Sequence, residues 1–340
     1  MWILAALVVT AYAAMPTTIE EFKAQPVEEH VKDLKGQAFI DYINEHQPFY
    51  RAEYSPDAEE FVKARIMDAK FLVKPKKEEV LAEVFGDDPP ASFDARTHWP
   101  ECRSIGTIRD QSACGMSKRN ASGFHNGIGV VHVGRYPQRK PCPIKYVFSR
   151  TERQGCRGGW PIEAYKWMQR DGVVTGGKYR QKDVCKPYAF YPCGRHANDP
   201  YYGDCPMGLW PTPKCRKTCQ RKYNKSYTED KHFATRSYYL PNNERSIREE
   251  IYKNGPVVAA FRVYQDFSGY KKGIYVHKWG GQTGAHAVKV VGWGRENGTD
   301  YWLIANSWNT DWGEDGYFRI VRGTNECGIE EQMVSGEMRV

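Results

Sequence analysis

The sequence predicts an α+β protein, on three observations. Helix-like spacing comes early, short strands come late, and a leader without cysteine gives way to a cysteine-dense body. Residues 15 to about 88 hold none of the ten cysteines. They carry charged and apolar residues at helical spacing over Glu28 to Tyr42 and Asp57 to Leu72. Pro89-Pro90 interrupts that pattern. The leader reads as a pro-segment, with a small independent helical domain as the alternative. Beyond it, Pro161 to Arg170 predicts a helix, because Ile162, Tyr165, Trp167 and Met168 alternate with polar residues. Ser246 to Asn254 predicts another. Val257 to Val263, Ala287 to Trp293, Tyr301 to Ala305 and Tyr317 to Val321 predict strands. No internal repeat or low-complexity tract is present.

Composition narrows the function. With 41% hydrophobic residues the chain can bury a core, which excludes disorder as a description of the whole. The net charge of +8 is mostly local: Met116 to Gln154 holds eight cations against Glu152 alone. No nucleic-acid-binding motif accompanies that cluster, so no nucleic-acid partner is expected. No apolar run reaches the roughly 20 residues of a membrane span. Trp2 to Val9 is a short apolar run followed by Ala11-Tyr12-Ala13, which reads as a signal peptide over residues 1–14, a buried strand being the alternative. An exported chain uses cysteines as disulfides. Cys215 and Cys219 have a zinc-like gap but no partner pair at finger spacing, so neither a metal nor a cofactor is expected. Asn120, Asn224 and Asn297 head glycosylation sequons.

Three separated pieces carry chemistry. Gln111-Ser112-Ala113-Cys114-Gly115 lies in the first half, Gly284-Ala285-His286-Ala287 opens a strand, and Asn306-Ser307-Trp308 follows another. A histidine oriented by an amide, with a glutamine able to donate to an oxyanion, is equipped for acyl transfer. For His286 alone, burial in a core would be the simpler reading.

These pieces resemble the papain-like cysteine proteases, the cathepsin B-like branch above all. The likeness covers roughly residues 90–340 and rests on Ala91-Ser92-Phe93-Asp94-Ala95-Arg96, Ile108-Arg109-Asp110-Gln111, Gly155-Cys156-Arg157-Gly158-Gly159-Trp160, Tyr252-Lys253-Asn254-Gly255-Pro256-Val257 and Asn306-Ser307-Trp308-Asn309-Thr310-Asp311-Trp312-Gly313. Tyr301 to Glu314 is similar to a stretch typical of nematode cathepsin B-like proteases, often linked to blood feeding. The resemblance implies a two-lobed fold, with a helical left lobe and a β-barrel-like right lobe, behind an N-terminal helical propeptide over residues 15–89. It implies Gln111 in the oxyanion hole, His286 as base, Asn306 as its orienting amide, Gly158 and Gly159 binding substrate backbone, and Trp308 shielding the Asn–His pair. It implies the disulfides Cys114–Cys156, Cys185–Cys219 and Cys193–Cys205, the last two framing an occluding loop over about 185–219. Protein or peptide substrates, inhibition by the chain's own propeptide, sensitivity to cystatin-type inhibitors, a monomer, and a lysosomal or extracellular (gut-lumen) location follow from the same likeness.

The pattern breaks at the nucleophile. The family reads Gln-x-x-Cys-Gly-Ser-Cys-Trp, and this chain reads Gln111-Ser112-Ala113-Cys114-Gly115-Met116-Ser117-Lys118. Ser117 stands where the family has its nucleophilic cysteine. A thiol becomes a thiolate beside an imidazolium, whereas a hydroxyl must lose its proton during attack. Asn120 to Gly129 contains three glycines, and each costs about 1 kcal/mol against alanine in a helix. The family's long central helix is therefore not expected here. Likeness stops near Met116 and resumes at Gly155 with length kept, the pattern of a compensated frameshift. A catalytically dead, peptide-binding homologue is the alternative, and a Ser-His-Asn hydrolase is the weakest reading. Cys102 and Cys215 expect partners in a window that offers only Cys142. In the loop, Arg195-His196 replaces a pair of histidines. Arg195 is expected to pair with Asp110 and make the loop insensitive to pH, leaving His196 for a substrate carboxylate. Gln332 stands near the family's acidic S2 position, which weakens preference for arginine there.

Overall fold

The computed structural model describes residues 15–83, 87–114, 127–131, 147–151, 156, 158–197, 199–213 and 216–339. The leader contributes α1 (Ile19–Ala24), α2 (Gly36–His46), β1 (Tyr50–Ala52) and α3 (Ala58–Lys63). The body follows with β2 (Phe93–Asp94), α4 (Ala95–His98), α5 (Arg103–Gly106), β3 (Gly127–Val131), β4 (Val147–Thr151) and α6 (Pro161–Arg170). Next come β5 (Gly176–Gly177), β6 (Lys186–Pro187), β7 (Ala234–Tyr239), α7 (Glu244–Asn254) and β8 (Val257–Tyr264). The chain closes with β9 (Tyr270–Tyr275), β10 (Gln282–Glu296), β11 (Thr299–Ala305), β12 (Tyr317–Val321) and β13 (Met333–Met338).

Local chemistry sets these boundaries. Pro161 occupies the first turn of α6, where its missing N–H costs nothing. Asn243 caps α7 by accepting from the Ser246 N–H at 3.0 Å, and Gly255 ends it at φ 97°. That cap starts α7 two residues before the predicted Ser246. Asn297 (φ 48°) and Gly298 (φ 80°) form the tight turn joining β10 to β11. In the leader the structure is more broken than the expected helices. A 3₁₀ turn at Glu29–Asp33 precedes α2, and α3 ends at Lys63 before a second 3₁₀ turn at Ala69–Phe71.

One sheet organises the β half, in the order β1-β9-β12-β11-β10-β8-β13-β7, with β2 pairing β10 as well. Its long central strand β10 is buried on both sides, so apolar residues run nearly unbroken along it. α6 packs through Ile162, Tyr165 and Met168 into a second apolar cluster with Val173, Val258 and Val334. The described part of the glycine-rich window is an antiparallel ribbon, β3 against β4, rather than a helix.

The leader is no separate domain. Phe22, Ile40, Ile43, Tyr50 and Val62 belong to the same apolar core as Phe261, Trp279 and Trp308 of the body. Phe22 is fully buried, its ring edge-on to Trp279 at 5.2 Å. β1 adds itself antiparallel to β9. We expect Phe22→Ala to weaken docking of the leader by about 3 kcal/mol. Limited proteolysis reads this as faster clipping within residues 15–83 from an intact body; an unchanged clipping rate would contradict it.

Candidate active site

His286 lies inside β10 and Asn306 directly after β11, its neighbour in the sheet. Both are buried, and His286 Nε2 donates to Asn306 Oδ1 at 2.8 Å. The Ser307 N–H donates to the same oxygen at 2.8 Å. That second donor fixes which end of the amide faces the ring, so the imidazole proton sits on Nε2. Nδ1 is left with its lone pair, the form a general base needs. Trp308 stacks on the imidazole at 4.8 Å and 26° between planes, covering the pair.

Gln111 is stitched to the same corner. Its N–H donates to Ser307 O at 2.9 Å, and its Oε1 accepts from Ser307 Oγ at 2.5 Å. The side-chain amide is thereby aimed, and Nε2 donates to the Arg65 carbonyl at 2.8 Å. A peptide carbonyl of the leader thus occupies the place where the resemblance puts an oxyanion. Just beyond, Met67 and Ala285 exchange backbone hydrogen bonds of 2.7 and 2.8 Å, so the leader pairs with β10 one residue before His286. Gly158 has φ 98°, and a Cβ there would meet Met67 Cβ at 2.7 Å and Phe71 Cε2 at 2.8 Å. Only glycine allows the leader to pass so close. Phe71 packs edge-on against Trp160 at 4.9 Å, and Gln332 Nε2 donates to Val73 O at 3.0 Å. Residues 65–73 therefore fill a cleft bounded by Gln111, Gly158, the His286 end of β10 and Gln332, with Asn306 and Trp308 buried against His286. Gly159 is the next residue in the chain and is half-buried. Ser117 lies outside the described residues, as do Asn120, Cys142 and Cys215.

The loop over 185–219 carries the disulfides Cys185–Cys219 and Cys193–Cys205, and Cys114–Cys156 is formed beside the cleft. Cys102 is disulfide-bonded as well. The expected latch is corrected. Arg195 lies 5.0 Å over the Tyr201 ring, and His196 takes Asp110 instead, with Nε2 3.2 Å from the carboxylate. His196 Nδ1 is 3.0 Å from Asp311. With both nitrogens engaged, His196 is not presented to a substrate carboxylate, and the latch titrates where an arginine would not. The residue order alone gave no reason to choose between Arg195 and His196; the compact ring reaches both carboxylates. Asp311 was visible only as part of a motif, and Arg65 was not singled out. The Arg65 guanidinium is buried under the loop, 3.6 Å over Phe61, with Nη2 3.9 and 3.8 Å from Cys193 Sγ and Cys205 Sγ. Among the described residues no group of three His, Cys, Asp or Glu side chains could hold a metal.

Comparison with known proteins fits this geometry. The profile described as "Papain family cysteine protease" matches residues 89–337. The chain belongs to the papain family of cysteine proteases. Its fold is the two-lobed α+β papain fold, and its relatives are cathepsin B-like. "Cathepsin B-like cysteine proteinase 5" of Caenorhabditis elegans is 41% identical over 99% of this chain and 98% of its own length. The "Gut-specific cysteine proteinase" of the same nematode is 40% identical over 98% and 99%. Among solved structures, "proCathepsin B S9 from Trypanosoma congolense" superposes with a TM-score of 0.62 at 30% identity, covering 91% of this chain and all of that one. That likeness is to a papain-family zymogen, and residues 65–73 fill the cleft here.

Protonation couples to this closure. Burial lowers the His286 pKa to about 4, against the smaller opposing pull of Asn306. Between pH 6.5 and 4 an exposed imidazole takes up a proton that the covered one refuses, so stability falls as pH drops through that window. The loss reaches roughly 3 kcal/mol. Denaturant midpoints at pH 7 and 4.5 should show it, and His286→Gln should shrink the difference; an equal acid loss in that variant would contradict the assignment. His196 moves the other way. The Asp311 hydrogen bond raises its pKa against the effect of burial, and Asp110 adds to the rise. The latch is thus complete below the ordinary histidine pKa and is lost as pH rises through the raised one. We expect proteolytic nicking of the loop to increase above neutrality, and His196→Gln to abolish that dependence.

Proposed function

We propose that the chain is the zymogen of a cathepsin B-like peptidase of the secretory pathway, with residues 1–14 as signal peptide, 15–89 as propeptide and 90–340 as the mature domain. The observation that carries this is the Gln111 amide donating to a peptide carbonyl within the cleft that also holds the His286–Asn306 pair. In the reaction, the group at position 117 bonds to the substrate carbonyl carbon while His286 Nδ1 takes its proton. Gln111 stabilises the developing oxyanion. The same proton passes to the leaving amine, and water then releases the acyl group. Endopeptidase action leads, because both nitrogens of His196 are engaged; dipeptidyl carboxypeptidase activity is the lesser mode. The gut-specific relative supports a gut-lumen site, with a lysosomal site as the other destination; the proposed substrates are food or host proteins, blood protein included. Asn297 on its exposed turn and Asn224 in an exposed loop are suited to carry glycans. The monomeric state and inhibition by cystatin-type proteins belong to the same proposal.

A second reading is favoured by Ser117 itself. With a hydroxyl there, the cleft binds peptides without turning them over and acts as a decoy. Ser117→Cys separates the two. In an acid-treated full chain we expect that substitution to raise peptide hydrolysis on the order of a thousandfold or more and to allow labelling by a thiol-directed epoxide. No gain in hydrolysis and no labelling, with peptide binding retained, would leave the decoy.

A further inference from the structure

On the described part of the body, one surface carries chemistry that the proposed function does not use. Cys185–Cys219 and the Gln220 side chain, which donates to Gln181 O at 2.8 Å and Lys182 O at 3.0 Å, clamp two stretches of chain together. One stretch presents Lys178, Arg180 and Lys182, and the other Arg216, Lys217, Arg221 and Lys222. All seven side chains are exposed, and among the described residues none makes an ion pair. Acids near this patch are engaged by other groups: Asp183 accepts from Gln181, Asp204 from Tyr201, and the buried Asp230 from Thr175 and Tyr223. The clamp thus holds together two stretches of backbone whose seven cations have no carboxylate at ion-pair distance among the described residues.

Apolar groups are exposed on the same disulfide-tied loop. Of the large hydrophobic residues exposed on the described body, Tyr201, Tyr202 and Met207 all belong to this loop, with only Tyr252 elsewhere. Met207 is wholly exposed. Arg180 joins the two sectors, lying 5.2 Å over the Tyr179 ring and 5.7 Å over that of Tyr202. A polyanion such as nucleic acid or sulfated glycan needs the charge and has no use for an exposed methionine. A lipid interface uses both: cations meet anionic headgroups, tyrosines sit at headgroup depth, and the apolar tip enters the acyl boundary. We propose that the loop over 178–222 is a docking surface for anionic phospholipid membranes, with the cations supplying attraction and Tyr201, Tyr202 and Met207 supplying insertion. The proposal is independent of what stands at position 117.

The full chain tests it by co-sedimentation with vesicles of phosphatidylcholine alone and of phosphatidylcholine with about a quarter phosphatidylserine. Binding is expected only to the second and should weaken as salt rises. Each surface cation is worth about a fivefold factor. Changing Lys182, Lys217, Arg221 and Lys222 together to glutamine should therefore reduce partitioning on the order of a hundredfold or more. Met207→Ser with Tyr202→Ser should reduce it about threefold or more while leaving the salt dependence unchanged. Undiminished vesicle binding in the glutamine variant would place the contact elsewhere, the basic window 116–154 being the rival, and would overturn the proposal. So would binding to heparin or single-stranded DNA without binding to vesicles, or vesicle binding indifferent to Met207 and Tyr202.

Discussion

The hydrogen bond from His286 to Asn306 depends on a small piece of sheet geometry. β10 and β11 run as neighbours, and the chain turns just after β11, so the Ser307 N–H and the imidazole N–H converge on one amide oxygen. Because that oxygen has two donors, the ring has one tautomer. The same turn places the Ser307 carbonyl and hydroxyl on Gln111, which ties a segment of the first half of the body to the β half. His286, Asn306 and Gln111 are therefore parts of one hydrogen-bonded corner, with Trp308 stacked on the imidazole and Phe267 behind Trp308. Disturbing any member shifts the others.

Much of this was legible before folding. Strands β8, β10, β11 and β12 follow from runs of β-branched and aromatic residues, and α6 from its spacing and its leading proline. β10 proved longer than the predicted Ala287 to Trp293, because pairing with β8 and with the leader extends it past the apolar run. The leader was less legible. Its helices are short, since its apolar residues are placed to meet Trp279, Tyr270 and Trp308 rather than one another. Only tertiary contact makes sense of such spacing.

The site shows the same division. Gln111, His286 and Asn306 come together as their motifs imply, because each motif includes the backbone that positions it. The loop latch could not be read from residue order. Arg195 and His196 are neighbours, and which one reaches Asp110 depends on how the two disulfides orient the loop. A guanidinium prefers the open aromatic face of Tyr201, whereas the smaller ring fits between two carboxylates. Arg65 was missed because a lone arginine in a leader gives no signal of burial until a loop closes over it.

The connection between leader and body is itself pinned. Arg248 donates to Pro89 O and to Asp88 at 3.0 Å each, and Trp293 Nε1 donates to Pro90 O at 2.9 Å. While that tether is whole, occupancy of the cleft is an intramolecular matter, set by a fixed effective concentration and indifferent to dilution. A single cut in the tether makes the leader an ordinary ligand that leaves when the surroundings are dilute. Volume would then become part of the control: the same severed chain stays shut where it is concentrated and opens where it is diluted.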